Sequence, residues 1–392
     1  MSRAGPVTFE ESRIDTPALP GGPQVPSMLV AAGGFDSHVA GLRSDLASAG
    51  SVSAARRRAE QRALALWRDA VQRAQGRLWM GTIERYDDRP LYWARLMGTR
   101  DLRQWRPAFA VSAEARAGLL RTFDHASRGI TTPSREAATE VLVSGFDPYR
   151  LNDEIRRSNP SGASALQLDG VRFTAGDRTI RVRAVMLPVT WSGFDAGIVE
   201  DAFGPHLTAG AVDLIMTISQ GGRGAMTIEQ WAGAWRGGRP DNNDEGTPGP
   251  IPPIAGRPQP EFIETTLPYQ AMIDARTTPW PTRLNPQIGE WAAGDRPTGP
   301  VTRSTTGPAP GGRAESGGGG NYLSNESMYR SNRLRLALGA TDVPGGHLHI
   351  SALAYPADPC EIIDPAFAAD RAHTIEQTIA LVKAAATSVA QT

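Results

Sequence analysis

Three apolar runs in the middle of the chain constrain its fold more than any other feature. They read "TEVLVSGFDPY" (residues 139–149), "TIRVRAVMLPV" (179–189) and "AVDLIMTISQGG" (211–222), and each ends near a glycine or a proline. Runs of this kind are typical of strands that are buried on both faces of a sheet. The sequence therefore predicts buried strands at these three places.

Helical candidates lie between and after these strands. They are near residues 194–203, 268–275, 324–338 and 371–386. Alternating strands and helices are typical of a mostly parallel sheet covered on both faces, with ligands bound at the carboxyl ends of the strands. We therefore predict an α/β fold with three α/β/α layers and a mostly parallel, twisted sheet over residues 139–392.

The N-terminal third has a different pattern. Its first 35 or so residues are rich in proline, glycine and serine and show no apolar period, which predicts a flexible arm. Residues 54–78 then place one apolar stripe opposite a row of arginines, made by Ala63, Leu64, Leu66, Trp67, Val71 and Ala74. Residues 1–138 are thus predicted to be a flexible arm and an N-terminal helical extension, with a boundary near 127–137.

Two stretches dense in proline and glycine interrupt the predicted α/β domain. They cover about residues 245–260 and 281–320. Both contain too few apolar residues to pack on their own. We expect surface insertions or lids at these positions.

The composition narrows the classes of partner. The chain of 392 residues has 41 basic and 41 acidic side chains, so no net charge attracts it to nucleic acid or to an anionic membrane. The single cysteine, Cys360, cannot form an intramolecular disulfide. The sequence shows no signal-peptide pattern and no apolar segment of the roughly 20 residues that span a bilayer. We expect a cytoplasmic protein that binds neither nucleic acid nor membrane.

Three polar residues are candidates for chemistry, although each also has an ordinary structural explanation. Glu229 follows a strand and a glycine turn, and it fits a carboxylate at a helix N-terminus. Ser324 fits a helix N-cap. His349 lies two residues after His347 on a predicted strand, so both face the same side and fit core histidines. No zinc, Walker or G-x-S-x-G motif is present, so we expect neither a metal nor another cofactor.

Six segments occur in an order that carries a family resemblance. They are "VLVSGFDPY" (141–149), "QGGRGAMTIEQWA" (220–232), "RPDNNDEG" (239–246), "TTLP" (265–268), "NYLSNESMY" (321–329) and "GGHLHIS" (345–351). This set resembles the pyroglutamyl peptidase I family, the pyrrolidone-carboxylate peptidases, which remove an N-terminal pyroglutamyl residue from peptides. The likeness covers about residues 139–390 and leaves out the N-terminal third.

The resemblance implies roles for seven residues. Glu229, at the family spacing after a Gly-Gly-Arg turn, and His349 match the family's catalytic glutamate and histidine, whereas Ser324 stands where the family has its nucleophilic cysteine. Glu326 stands where the family has a second histidine. The resemblance assigns substrate binding to Phe146, Tyr149, Gln220 and Arg239.

These residues predict a hydrolase that acts on a peptide or a small amide. Ser324 would attack the carbonyl of a pyroglutamyl or related lactam or acyl amide and form an acyl-enzyme, with His349 as base and Glu229 as the group that orients it. Two alternatives remain, namely a hydrolase of a different small amide and a noncatalytic binding or scaffold protein. The resemblance also suggests a homo-oligomer.

Overall fold

The computed structural model describes residues 4–130, 136 and 138–391. The chain divides into two compact units. The helical unit comprises Met1–Thr131, Asp147–Asn159 and Ala354–Asp370, and the sheet unit comprises Thr132–Phe146, Pro160–Leu353 and Arg371–Thr392. The predicted boundary at 127–137 lies partly outside the described residues.

Helices α1–α6 and one 3-10 turn build the helical unit. The helices are α1 (Phe9–Ser12), α2 (Val25–Gly33), α3 (Asp36–Ala47), α4 (Val52–Ala74), α5 (Arg89–Gln104) and α6 (Ala113–Ala126), and the 3-10 turn is Arg13–Asp15. Helix α4 is the predicted amphipathic helix, and its apolar stripe is buried except for Leu64, which is 43% exposed. Ser51 caps this helix by accepting a hydrogen bond from the N–H of Ala54 at 3.1 Å.

The first 35 residues differ from the flexible arm that we expected. From residue 4 onward they contain α1, the 3-10 turn and α2. Thr8 and Glu11 form a capping box at the start of α1, and the buried Glu11 carboxylate pairs with Arg103 at 2.9 Å. Leu29 of α2 is also buried. These helices are too short to show an apolar period, and they are ordered because their side chains are buried or paired.

Fourteen strands and six further helices follow among the described residues. The strands are β1 (Thr139–Phe146), β2 (Arg172–Ala175), β3 (Arg178–Leu187), β4 (Leu214–Gln220), β5 (Met226–Glu229), β6 (Trp231–Gly233), β7 (Trp235–Gly237), β8 (Pro248–Pro250), β9 (Phe262–Glu264), β10 (Thr282–Asn285), β11 (Ile288–Trp291), β12 (Thr302–Ser304), β13 (Arg313–Ser316) and β14 (Gly345–Ile350). The helices are α7 (Pro160–Leu168), α8 (Trp191–Asp195), α9 (Ile198–Thr208), α10 (Tyr269–Asp274), α11 (Leu323–Ala337) and α12 (Pro365–Gln391).

Seven of these strands form one sheet in the order β10-β5-β14-β4-β1-β3-β2. Four neighbouring pairs are parallel, and the pairs β5–β14 and β2–β3 are antiparallel. The three predicted strands are β1, β3 and β4. Helices α7, α10 and α12 share a buried apolar cluster with one face of the sheet. Helices α9 and α11 pack against each other and also contact strands of the sheet, α9 at β3 and α11 at β4 and β14. The predicted mostly parallel α/β fold with an N-terminal helical region is therefore confirmed.

Short strands tie parts of the two stretches expected to be surface insertions or lids into the fold, and most of the other residues in these stretches are exposed or half-buried. Strand β10 pairs with β5 at the edge of the main sheet, and β11 is buried in a three-stranded sheet of order β12-β11-β13. Trp291 of β11 packs edge-on against Trp235 with ring centroids 5.1 Å apart. In the other stretch β8 pairs with β7, and Ile251 is buried. Backbone pairing and a few tryptophans compensate for the low apolar content.

Candidate active site

Glu229 and His349 meet at the antiparallel pair of strands in the main sheet. Glu229 is the last residue of β5, where it lies opposite His347 of β14. The Nδ1 atom of His349 is 2.9 Å from Oε1 of Glu229. The Glu229 side chain is only 1% exposed and that of His349 is 12% exposed. The strand pairing thus brings together two of the residues to which the resemblance gives a role.

Two further side chains donate hydrogen bonds to the Glu229 carboxylate. Thr227 Oγ1 donates to Oε1 at 2.6 Å, and Asn285 Nδ2 donates to Oε2 at 2.7 Å. Asn285 ends β10, and the parallel register places it opposite Glu229. Both residues were missed from the sequence. The spacing of Thr227 and Glu229, two apart on a strand, was a usable indication that they share a face.

His347 is a core histidine with both ring nitrogens occupied. Its Nδ1 is 2.7 Å from Thr217 Oγ1, and its Nε2 is 2.8 Å from Ser219 Oγ. Burial, together with the nearby His349, holds the pKa of His347 well below its usual range. Its uncharged ring packs edge-on against His349 with centroids 4.6 Å apart. The two rings face the same side of β14, as predicted.

The glycine run at residues 317–320, which precedes α11, passes close to both Glu229 and His349. A Cβ atom at Gly318 would lie 2.3 Å from Glu229 Oε2, and one at Gly319 would lie 2.9 Å from His349 Cε1. The same point at Gly319 is 3.8 Å from the backbone nitrogen of Asn325 in the first turn of α11. Only glycine allows this approach, so the run brings the start of α11 beside the imidazole.

Ser324 is the second residue of α11 and is half-buried. Tyr322 occupies the N-cap position, so the N-cap explanation of Ser324 is wrong. The Asn325 amide bonds both the N–H and the carbonyl of Gly233 at 2.8 Å, which fixes the first turn. Among the described residues, Ser324 Oγ and His349 form no hydrogen bond.

The four residues predicted to bind substrate lie in different environments. Phe146 ends β1, is buried and stacks on Phe194 with centroids 6.2 Å apart. Gln220 ends β4 opposite Ile350 and is half-buried. The other two predicted residues are Tyr149, which is half-buried within the helical unit, and Arg239, which is exposed.

A buried ion pair stands where the resemblance has a second histidine. Both carboxylate oxygens of Glu326 accept hydrogen bonds from Arg236 at 2.6 Å, and Arg330 lies 3.2 Å away. Burial acts to lower the pKa of Arg236, but Glu326 and Asp195 outweigh it, so the pKa is raised. Glu326 also lies in the first turn of α11, where a negative charge is favourable. This pair was missed because its partners are 90 residues apart.

The described residues contain no group of three or more histidine, cysteine or carboxylate side chains that could hold a metal ion. In the same part of the chain, no helix has the length and apolar character needed to cross a membrane.

Comparisons with known proteins match the chain in two parts. The family model for the PA0049 N-terminal domain matches residues 1–124, and that for the PA0049 C-terminal domain matches residues 140–257 and 290–354. The chain is 30% identical over 503 aligned residues to the uncharacterized protein PA0049 of Pseudomonas aeruginosa. That alignment covers 100% of this chain and 91% of the relative.

Solved structures of pyroglutamyl peptidases are also similar to part of the chain. A mutant pyrrolidone carboxyl peptidase from Pyrococcus furiosus has a TM-score of 0.43 and 21% identity over 64% of this chain and 100% of its own. The pyroglutamyl peptidase I of Bacillus amyloliquefaciens has a TM-score of 0.42 and 18% identity over 64% of this chain and 97% of its own.

Proposed function

The chain belongs to the PA0049 family, and we propose that it is a hydrolase of the pyroglutamyl peptidase type, the family that its motifs resemble. It would cleave an N-terminal pyroglutamyl amide, or a related lactam or acyl amide, through an acyl-enzyme on Ser324. The observation that carries the proposal is the hydrogen-bonded Glu229–His349 pair beside the first turn of the helix that contains Ser324.

The pair has the geometry of a general base and its orienting carboxylate. With the proton on Nδ1, His349 donates to Glu229 and leaves a lone pair on Nε2. This nitrogen takes the Ser324 proton as Oγ attacks the carbonyl carbon, and it then gives the proton to the departing amine. Water then attacks the acyl carbonyl carbon while His349 takes a proton from the water. His349 returns the proton to Ser324 Oγ as the ester bond breaks and the acid is released. Thr227 and Asn285 keep the carboxylate facing the imidazole.

The start of α11 is suited to the charge that develops on the substrate. The first N–H groups of a helix have no partners within it, and the helix dipole adds positive potential there. Donors aimed at the developing oxyanion are often the largest single contribution to acyl-transfer catalysis. Ser324 lies in this first turn, so these N–H groups would bind the oxyanion in the proposed mechanism.

One observation favours a second candidate, a protein that binds such amides without cleaving them. The Ser324 hydroxyl and His349 are not hydrogen-bonded within the described part of the chain. Catalytic hydrogen bonds often tighten only when substrate binds, so cleavage is still the first candidate. An activity assay separates them.

The experiment is release of aminocoumarin from pyroglutamyl-aminocoumarin by the purified full chain. We expect release by the parent, background rates for Ser324→Ala, and rates within about twofold of the parent for Ser331→Ala, a buried serine further along α11. Unchanged release in Ser324→Ala would contradict the mechanism. Binding of a pyroglutamyl peptide that stays intact would favour the second candidate.

A serine-reactive fluorophosphonate tests the nucleophile independently of the substrate. Mass spectrometry of the labelled protein should locate the adduct on Ser324, and His349→Ala should abolish it. An adduct on Ser324 without pyroglutamyl hydrolysis would indicate a hydrolase of a different small amide.

A further inference from the structure

We propose that Asn285 is a positioning residue that fixes the Glu229 carboxylate and the glycine run in one arrangement; this inference rests on the proposed function. The Nδ2 atom of Asn285 donates to Glu229 Oε2 at 2.7 Å and to the carbonyl oxygen of Gly318 at 2.9 Å. One amide group thus connects the orienting acid to the segment that leads into α11.

The chemistry of the two acceptors explains why an amide occupies this position. Both acceptors are oxygens, so the bridging group must present two N–H donors and carry no negative charge. The backbone N–H of Gln287 donates to Asn285 Oδ1 at 3.3 Å, which turns the NH2 group toward the two acceptors. An aspartate of the same shape would place a second carboxylate against Glu229.

Strand β10 supplies the precision of this contact. Its parallel pairing with β5 sets Asn285 opposite Glu229, and the carbonyl of Asn285 accepts a hydrogen bond from Gln230 N–H at 3.0 Å. Residues 258–289 lie between the two ranges that the PA0049 C-terminal domain model matches. Asn285 therefore lies outside the matched ranges.

The Asn285 amide connects Glu229 to a backbone segment that also lies against His349. Gly318 has no room for a side chain beside Glu229, and Gly319 lies against His349. The N–H of Gly318 keeps a separate bond to the carbonyl of Trp231 at 2.8 Å, so the run stays attached when Asn285 is changed. Loss of the Asn285 amide should therefore disturb the alignment of the pair and leave the fold intact.

The test uses Asn285→Ala, Asn285→Asp and the control Gln287→Ala, which removes an exposed amide two residues away. All variants carry Cys360→Ser, because the free Cys360 thiol is exposed and reacts with alkylating reagents. One readout is kcat and KM for pyroglutamyl-aminocoumarin. The other is the rate at which iodoacetamide alkylates the thiol that Ser324→Cys introduces. This rate needs no substrate, and it reports on the His349 imidazole because a neighbouring imidazolium favours the reactive thiolate.

We expect kcat to fall about 10- to 100-fold in Asn285→Ala and further in Asn285→Asp, with KM within about twofold of the parent. The alkylation rate should fall in the same order, and Gln287→Ala should change neither. A slower alkylation without hydrolysis by any variant would support the inference while contradicting the pyroglutamyl substrate. Parent-like kcat and alkylation in both Asn285 variants would overturn it, and thermal melts check that each variant is folded.

Discussion

We expect the proposed role of Glu229 to depend on its negative charge. Glutamine has nearly the same shape but no charge, so it tests this directly. Glu229→Gln keeps the volume but presents an amide to Thr227, Asn285 and His349. The imidazolium formed during attack would lose its counter-charge, and we expect kcat to fall by roughly 10²- to 10⁴-fold. Hydrolysis of pyroglutamyl-aminocoumarin measures this. The control Glu264→Gln, at an exposed carboxylate on β9, should keep parent activity, and equal activity of the two variants would contradict the role of Glu229.

We expect His206 on α9 to make the stability of the protein depend on pH. Burial, assisted by the charge of Arg183, lowers its pKa to about 4. Between pH 6.5 and 4 the unfolded chain takes up a proton that the folded chain does not, so stability falls as the pH is lowered through this window. Because solvent screens part of this effect, we expect a loss of roughly 1–3 kcal/mol at pH 4.

Urea unfolding at pH 7 and pH 4.5 measures this contribution. His206→Gln should lose less stability between the two pH values than the parent, because it has no proton to take up there. The exposed His373→Gln is the control and should behave like the parent. An equal loss in the parent and His206→Gln would show that His206 is not responsible.

Consecutive residues of the glycine run contact different members of the site, because Gly318 lies against Glu229 and Gly319 lies against His349. Gly318→Ala would place a methyl group 2.3 Å from Glu229 Oε2, and Gly319→Ala would place one 2.9 Å from His349 Cε1. We expect kcat to fall about 100-fold or more in the first variant and less in the second. Gly222→Ala is the control, since its methyl group meets nothing within 4 Å. Aminocoumarin release compares the three, and equal rates would contradict the close approach.

Strong local patterns made some elements predictable from the sequence, whereas others depend on long-range pairing. Strands β1, β3 and β4 have continuous apolar runs, and α11 follows a glycine run. Strand β10 has four residues in a proline-rich stretch, and only its register with β5 brings Asn285 to Glu229. The Arg236–Glu326 pair likewise depends on packing. Ser324, Glu229 and His349 came from the family resemblance, and their roles stay predictions.

The two compact units are not consecutive in the sequence. Segments 147–159 and 354–370 belong to the helical unit, although both follow strands of the sheet unit. The first begins directly after β1, and the second begins shortly after β14. Within the helical unit, Asp147 pairs with Arg95 and Arg128 at 2.6 Å, and all three side chains are buried. A domain division at residue 138 would separate Asp147 from both arginines. We expect residues 139–392 alone to be less stable than the full chain for this reason.

The substitution Asp147→Asn tests how much the ion pairs of Asp147 with Arg95 and Arg128 contribute to the free energy of unfolding. Burial acts to raise the pKa of Asp147, but the charges of Arg128 and Arg95 outweigh it and the pKa is lowered. Asp147→Asn leaves two buried guanidinium groups without their shared carboxylate, which should reduce the free energy of unfolding by about 3–5 kcal/mol at pH 7. Asp153→Asn, at an exposed residue of the same segment, should change it by less than about 0.5 kcal/mol.

The pH dependence of the Asp147→Asn effect follows from the lowered pKa. The contribution of Asp147 is fully present above the pKa of an unfolded aspartate, about 3.9, and is lost as the pH falls through the lower folded value. Urea unfolding should therefore show the full difference between parent and Asp147→Asn at pH 7 and a smaller difference below pH 4. A difference that stays constant with pH would mean that the variant acts through packing, because an effect of the carboxylate charge must disappear when the carboxylate is protonated.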